Sequence, residues 1–209
     1  MALFGLRKPR TPIVRTLGDP ALKKKAAPAL EINHETHLLG ADLIRAMKIY
    51  DGVGIAAPQV GVPLRIFAVN APPPRLRPDD DGPPRPLSQG EAALLPMMPL
   101  VFINPEIISG SDTLVSYEEG CLSVPDIYAD VMRPETIVFQ AQILGGAFIS
   151  LEVGGFLARI LQHETDHLNG IVFVDRLEPG KLDGIRSKLD KLKKSGKKKG
   201  FLRILEDQS

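Results

Sequence analysis

His163 and His167 stand four residues apart in HETDH, His163 to His167. Four residues along a helix turn about 400°, so both imidazoles project from one face, a turn apart. That spacing suits two ligands to one metal ion, with Glu164 beside them to handle protons. Two histidines merely satisfied in a core would leave Glu164 unexplained. A second pair, His34 and His37 in NHETH, stands three apart near a predicted helix start. Helix caps are normally exposed, so this pair reads as surface histidines.

A third ligand is needed for a catalytic site. HETDHLNG fits the metzincin spacing H-E-x-x-H-x-x-G through Gly170, but the third histidine of that pattern falls on Phe173. A thermolysin-like site needs a downstream Glu on another helix, and Glu178 beside Pro179 is a poor candidate. The remaining soft ligand is Cys121 in EEGCLS, Glu118 to Ser123. A lone cysteine is usually a small buried hydrophobe, yet this one sits in a polar, glycine-containing turn that favours a metal-bound thiolate. A His₂Cys set leaves the fourth position for water, the mark of a catalytic site.

Asn33 to Asp51 reads as an amphipathic helix with Leu39, Leu43, Ile44 and Met47 at helical spacing, capped by Asn33 and closed by Gly52. GVGIAAPQVG, residues 52–61, is too rich in Gly and Pro for regular structure. Strands are predicted at Leu64 to Asn70, Leu100 to Asn104, Leu114 to Tyr117, Thr136 to Ile143, Phe148 to Val153 and Ile171 to Val174. Gly154 to Asn169 is a helix with an apolar stripe of Phe156, Leu157, Ile160, Leu161 and Leu168, stopped by Gly170. Strands clustered around one apolar helix argue for an α+β fold: mixed or antiparallel strands packed on the central HExxH helix, plus a C-terminal helix.

The 209 residues suffice for one domain with a sizeable core. We read residues 1–180 as a single catalytic domain and 181–209 as a basic C-terminal helix and tail. Residues 71–99 hold nine of the nineteen prolines and the acidic triplet Asp79 to Asp81, and read as an exposed, mobile insertion. Its end, Ala92 to Leu100, is apolar enough to pack back onto the body. No run approaches the ~18 apolar residues of a membrane span. One cysteine excludes an internal disulfide and favours a reducing compartment. The first eighteen residues carry Arg7, Lys8, Arg10 and Arg15 without an acid, but no serine and no apolar run follow the targeting pattern, so a cytoplasmic address is expected.

The net charge of +1 hides an asymmetry: residues 181–209 carry ten basic and four acidic residues, +6, against −5 for the rest. Lys181 to Lys194 interleaves charge with Leu182, Ile185, Leu189 and Leu192. One apolar stripe can lie on the body while Lys188, Lys191, Lys194 and Lys197 to Lys199 face an anionic partner or simply water.

Three separated motifs, GVGIAAPQ (Gly52 to Gln59), EGCLS (Glu119 to Ser123) and QHETDH (Gln162 to His167), together resemble the peptide deformylase family. The resemblance runs from about Ile13, through GDPALKKKAAP (Gly18 to Pro28), to about Leu177. It implies hydrolytic removal of the N-formyl group from N-formylmethionyl peptides, with release of formate. It also implies one divalent metal on Cys121, His163 and His167, natively Fe(II), with Zn(II) as a less active occupant; the softness of a His₂Cys set by itself also permits Co(II) or Ni(II). Glu164 would move protons, Gln59 and the Leu122 backbone N–H would hold the formyl oxygen, and Gly54 would help align the peptide. Matching positions place the methionine side chain against Val53, Tyr117, Phe156, Ile160 and the His163 ring, although Val53 and Ile160 equally suit a plain core.

Two departures stand out. Family members commonly carry an arginine seven residues after the ligating cysteine, where this chain has Tyr128, which offers no fixed positive charge. The long insertion after Asn70 is the second. The resemblance further implies that the basic C-terminal helix can dock on ribosomal RNA; the expected protein is a monomer without membrane contact. The rival readings are a metalloprotease, distinguished by internal peptide cleavage, and a ribosome- or RNA-binding module with a dead site, disfavoured because Gln59, Cys121, Glu164 and both histidines are present.

Overall fold

The computed structural model describes residues 12–74 and 85–199. The segment holding Arg7, Lys8 and Arg10, the triplet Asp79 to Asp81 and the chain after Lys199 lie outside the described residues, as do the side chains of Lys197 to Lys199.

Asn33 sets the start of the first helix, α1 (His34–Ile49). Its side-chain oxygen accepts the Thr36 N–H at 3.2 Å, and the Thr36 hydroxyl oxygen accepts the Asn33 N–H at 3.3 Å. This reciprocal box satisfies donors that a helix start leaves orphaned. The Gly/Pro-rich run expected to be irregular instead holds a short strand, β1 (Gly54–Ala56), and a 3-10 turn (Ala57–Val60). Pro58 falls in the first turn of that segment, where a missing N–H is harmless.

The next strand, β2 (Ile66–Val69), is buried at every position. Strand side chains alternate in direction. Ile66 and Ala68 therefore pack with Leu43, Ala46 and Met47 of α1, while Phe67 and Val69 pack with Leu157 and Leu161 on the opposite face. A sheet covered on both faces accounts for the continuous apolar run in the sequence.

The chain continues through α2 (Gln89–Leu94), β3 (Leu100–Gly110), β4 (Leu114–Cys121), β5 (Val124–Pro134), β6 (Thr136–Ile143), β7 (Phe148–Gly154), α3 (Gly155–Leu168) and α4 (Pro179–Lys199). One sheet has the order β1-β2-β3-β6-β7 with every neighbouring pair antiparallel, and β4 and β5 form a separate hairpin. The fold is α+β, with the HExxH helix α3 packed against the sheet and a helix at the C-terminal end. Phe102 meets both Phe67 and Phe139 edge to face in the shared core, with the Phe102 and Phe139 centroids 5.3 Å apart.

Three local expectations are corrected. Ile171 to Val174 is not a strand: Asp175 accepts the Val172 N–H at 2.8 Å and the chain turns into a 3-10 segment, Phe173–Arg176. Its apolar residues are buried as part of a core, not as part of a ladder. The strand β5 was hidden by Pro125, Asp126 and Pro134, and Asp126 takes a left-handed φ of +61° within it. The insertion is not exposed up to Ala92, because Gly90 and Glu91 are already buried; Leu94 beyond them packs onto the body as expected.

The stripe on α4 lies on the body. Leu189 is 3% exposed among Leu17, Val124 and Ile127, with Leu182, Ile185 and Leu192 packed beside it. Lys188, Lys191 and Lys194 are exposed.

Candidate active site

The period of α3 places His163 and His167 on one face with ring centroids 5.0 Å apart. Cys121 arrives from the end of β4. The hairpin register slips there, from Gly120 opposite Tyr128 to Cys121 opposite Val124, and the tight turn that follows brings the thiol against α3. Cys121 Sγ lies 3.2 Å from His167 Nε2, and the three donor atoms of Cys121, His163 and His167 fall within 4.8 Å of one another. Ligands at usual zinc–sulfur and zinc–nitrogen distances in a tetrahedron stand about 3.6 Å apart, so the set fits a single ion. Its chemistry, one thiol and two imidazoles, suits a borderline-soft divalent metal.

Glu164 is buried, and its Oε2 has no hydrogen-bond partner among the described residues. Burial pushes its carboxyl pKa up to about 7. Gly54 of β1 makes this packing possible, since a Cβ there would collide with the Glu164 carboxylate. Gln59 closes the other side. Its Oε1 accepts the Ala56 N–H at 2.7 Å, which turns Nε2 toward Ser123 Oγ at 3.2 Å and Cys121 Sγ at 3.6 Å.

These groups open into a cleft of about 480 Å³. Val53, Gly54, Gln59, Tyr117, Cys121, Leu122, Phe156, Ile160, His163 and Glu164 all line it, while His167 is buried behind. Val53 is 40% exposed, which removes it from the core, whereas Ile160 is both core and cleft wall. The rings of Tyr117 and Phe156 lie 5.4 Å apart. Tyr128 is exposed and also lines the cleft. The other pair of histidines, His34 and His37, is exposed and far from forming a ligand cluster among the described residues.

The sequence reading passed over the ion cluster beneath the site. His163 Nδ1 lies 2.9 Å from Glu119 Oε2. Arg133, 2% exposed, donates to both Glu119 oxygens at 2.7 and 2.9 Å and to Asp166 at 2.7 Å. Arg159 also donates to Glu119, at 2.9 Å, and Arg176 pairs with Asp166. Burial alone would raise the Glu119 carboxyl; hydrogen bonds from Arg133 and His163 and their charges hold it well below the usual range instead. A carboxylate on the second ring nitrogen fixes imidazole orientation and tautomer. Glu119 and Asp166 sit inside two of the motifs, but nothing local marked their partners.

A depressed folded pKa stabilises the fold above the ordinary carboxylate pKa, and that contribution is lost only as pH falls through the lower folded value. Glu119→Ala is therefore expected to cost about 3–5 kcal/mol at neutral pH, because it strands buried guanidinium groups. Urea denaturation of the metal-loaded protein measures this, and a loss below about 1 kcal/mol would show that water already shares the charge.

The family model described as polypeptide deformylase matches residues 12–183. The chain belongs to this family. It is 43% identical over 165 residues to peptide deformylase 2 of Gloeobacter violaceus, covering 79% of this chain and 78% of that protein. It is 40% identical over 182 residues to the peptide deformylase of Novosphingobium aromaticivorans, covering 85% and 94%. Among solved structures it resembles a plant peptide deformylase at 33% identity and TM-score 0.73, covering 92% and 96% of the two chains. The peptide deformylase of Ehrlichia chaffeensis matches at 32% identity and TM-score 0.72, covering 89% and 98%. The enzyme is thus a hydrolase that removes the N-formyl group from nascent peptides, and its family is metal-dependent. No helix among the described residues is long and apolar enough to cross a membrane.

Proposed function

We propose that Cys121, His163 and His167 hold the enzyme's single divalent ion and that Glu164 is its proton carrier. The observation that carries this reading is a thiol and two imidazoles converging beside a buried carboxyl with an unpartnered oxygen. A divalent ion in that set supplies Lewis-acid activation of water near neutral pH. The ligand chemistry suits zinc and also admits Fe(II), Co(II) and Ni(II); family resemblance puts Fe(II) first. Metal analysis of anaerobically purified protein, paired with formate release from a formyl-methionyl peptide, tests the assignment.

The remaining roles follow from what each residue faces. Gln59 Nε2 and the Leu122 backbone N–H hold the formyl oxygen. Donors fixed before the reaction stabilise a developing oxyanion more than the ground-state carbonyl. Gly54 leaves room for the peptide backbone beside Glu164. Glu164 takes a proton from the attacking water and returns it to the departing amine. Val53, Tyr117, Phe156, Ile160 and the His163 ring receive the methionine side chain, as an apolar wall with few polar groups should. Tyr128 meets the peptide with a hydroxyl where relatives commonly present an arginine.

The enzyme works as a cytoplasmic monomer in this reading, and the exposed lysines of α4 dock on ribosomal RNA. Removing α4 would uncover the Leu189 stripe, so charge is better tested alone. The triple variant Lys188→Gln, Lys191→Gln, Lys194→Gln is expected to turn over short formyl peptides normally and to bind ribosomes ~10-fold more weakly at low salt. Co-sedimentation at low and moderate salt reads the effect. Equal binding by variant and parent removes the tail from the function.

A further inference from the structure

We propose that Ser88 and Glu91, in the proline-rich insertion, position the start of α3 and through it the Phe156 wall of the cleft. This rests on the assignment of Phe156 to the methionine pocket. The N-cap residue of α3 is Gly154, which has no side chain and gives the helix no cap of its own. A helix start leaves backbone N–H groups without intrahelical partners. The insertion provides for this one: Ser88 Oγ accepts the Gly154 N–H at 2.9 Å from 66 residues away.

Glu91 holds Ser88 in place. Its Oε2 accepts the Ser88 N–H at 3.0 Å, the Ser88 hydroxyl at 2.8 Å and an Arg85 N–H at 2.9 Å. Glu91 is 1% exposed, and its carboxylate lies at the positive end of the α3 dipole, where an anion is favoured. Gly155, the first residue of α3, has a left-handed φ of +60°, and any side chain there would run into Arg85 and Glu91. One turn of chain further into the insertion, Leu94 is fully buried in the core that also holds Val153 of β7 and Leu157 of α3, and α2 packs against β7. The insertion is thus fixed to the start of the catalytic helix by a polar cap, and to β7, the strand that leads into that helix, by the packing of α2.

Phe156 follows Gly155 directly, so a shift at the helix start moves it first. His163, Glu164 and His167 lie two to three turns further on. The two histidines have contacts of their own, His163 with Glu119 and His167 with Cys121. Loosening the cap should therefore weaken substrate binding before it touches the metal or the proton transfer.

Ser88→Ala in the metal-loaded full-length enzyme is expected to raise KM for a formyl-methionyl peptide about 5-fold, with kcat within about 2-fold and metal content unchanged. Ser88→Thr, which keeps the hydroxyl, should restore KM. Glu91→Gln, which keeps shape and loses charge, should raise KM in the same direction and provides a second reading should Ser88→Ala fold poorly. An unchanged KM in both variants well below their melting temperatures overturns the proposal, even if those temperatures fall, since a purely structural cap predicts that pattern. A loss of kcat in step with metal also overturns it. Phe156→Ala, measured alongside, separates the two readings: if it raises KM while the cap variants do not, only the cap proposal falls; if it too leaves KM unchanged, the pocket assignment falls with it.

Discussion

Glu164→Gln is expected to keep its metal and lose about 10²–10⁴-fold in kcat, the range typical of removing a positioned acid–base group. The amide fills the same space beside Gly54 and leaves Cys121, His163 and His167 in place, so binding of the ion is preserved. What disappears is the ability to accept and return a proton. The native carboxyl is buried with one oxygen unpartnered among the described residues, which leaves it placed to accept and return a proton near neutral pH. A glutamine has only one protonation state there. Formate release from a formyl-methionyl peptide, normalised to metal content, is the measurement. If the variant turned over within about 3-fold of the parent, proton transfer would have to run through another group.

Cys121→Ala should abolish stable metal binding, and activity with it. Losing even a supporting partner of a ligand costs ~10–100-fold in metal affinity, and losing a ligand itself costs more. The fold should tolerate the change, because Cys121 is only partly buried at the end of a hairpin and Ala is smaller. Metal content after anaerobic dialysis, with circular dichroism as the control for folding, decides the matter. One full equivalent of tightly bound metal in the variant would place the third ligand elsewhere. Oxidation of Cys121 to the sulfinic acid should likewise inactivate the enzyme, since the oxidised sulfur no longer offers a thiolate.

Much of the arrangement was legible because it is local. Asn33 announces the start of α1 as a cap residue, and the structure completes that cap as a reciprocal box with Thr36. The stripe of Leu182, Ile185, Leu189 and Leu192 on α4 follows from helical period alone, and those residues do lie on the body. Strand β5 escaped notice for the converse reason. Its prolines and aspartates argue against a strand, yet pairing with β4 from Leu114 opposite Pro134 onward overrides them. Glu91 falls in the proline-rich segment expected to be exposed, whereas its burial depends on Arg85, Ser88 and the start of α3.

The sequence alone determined that His163 and His167 share a helix face with Glu164 between them, because a period of 3.6 residues turns spacing into direction. It also carried the three motifs that place the chain in its family. Tertiary structure decided the rest of the site. Cys121 meets His167 across 46 residues through a register slip in a hairpin. Arg133 reaches Glu119 across 14 residues and Asp166 across 33, and Ser88 caps α3 from 66 residues away. No short-range rule specifies such meetings. They depend on which elements pack together, and burial then forces each charge and each orphan N–H to find whatever partner that packing brings within reach.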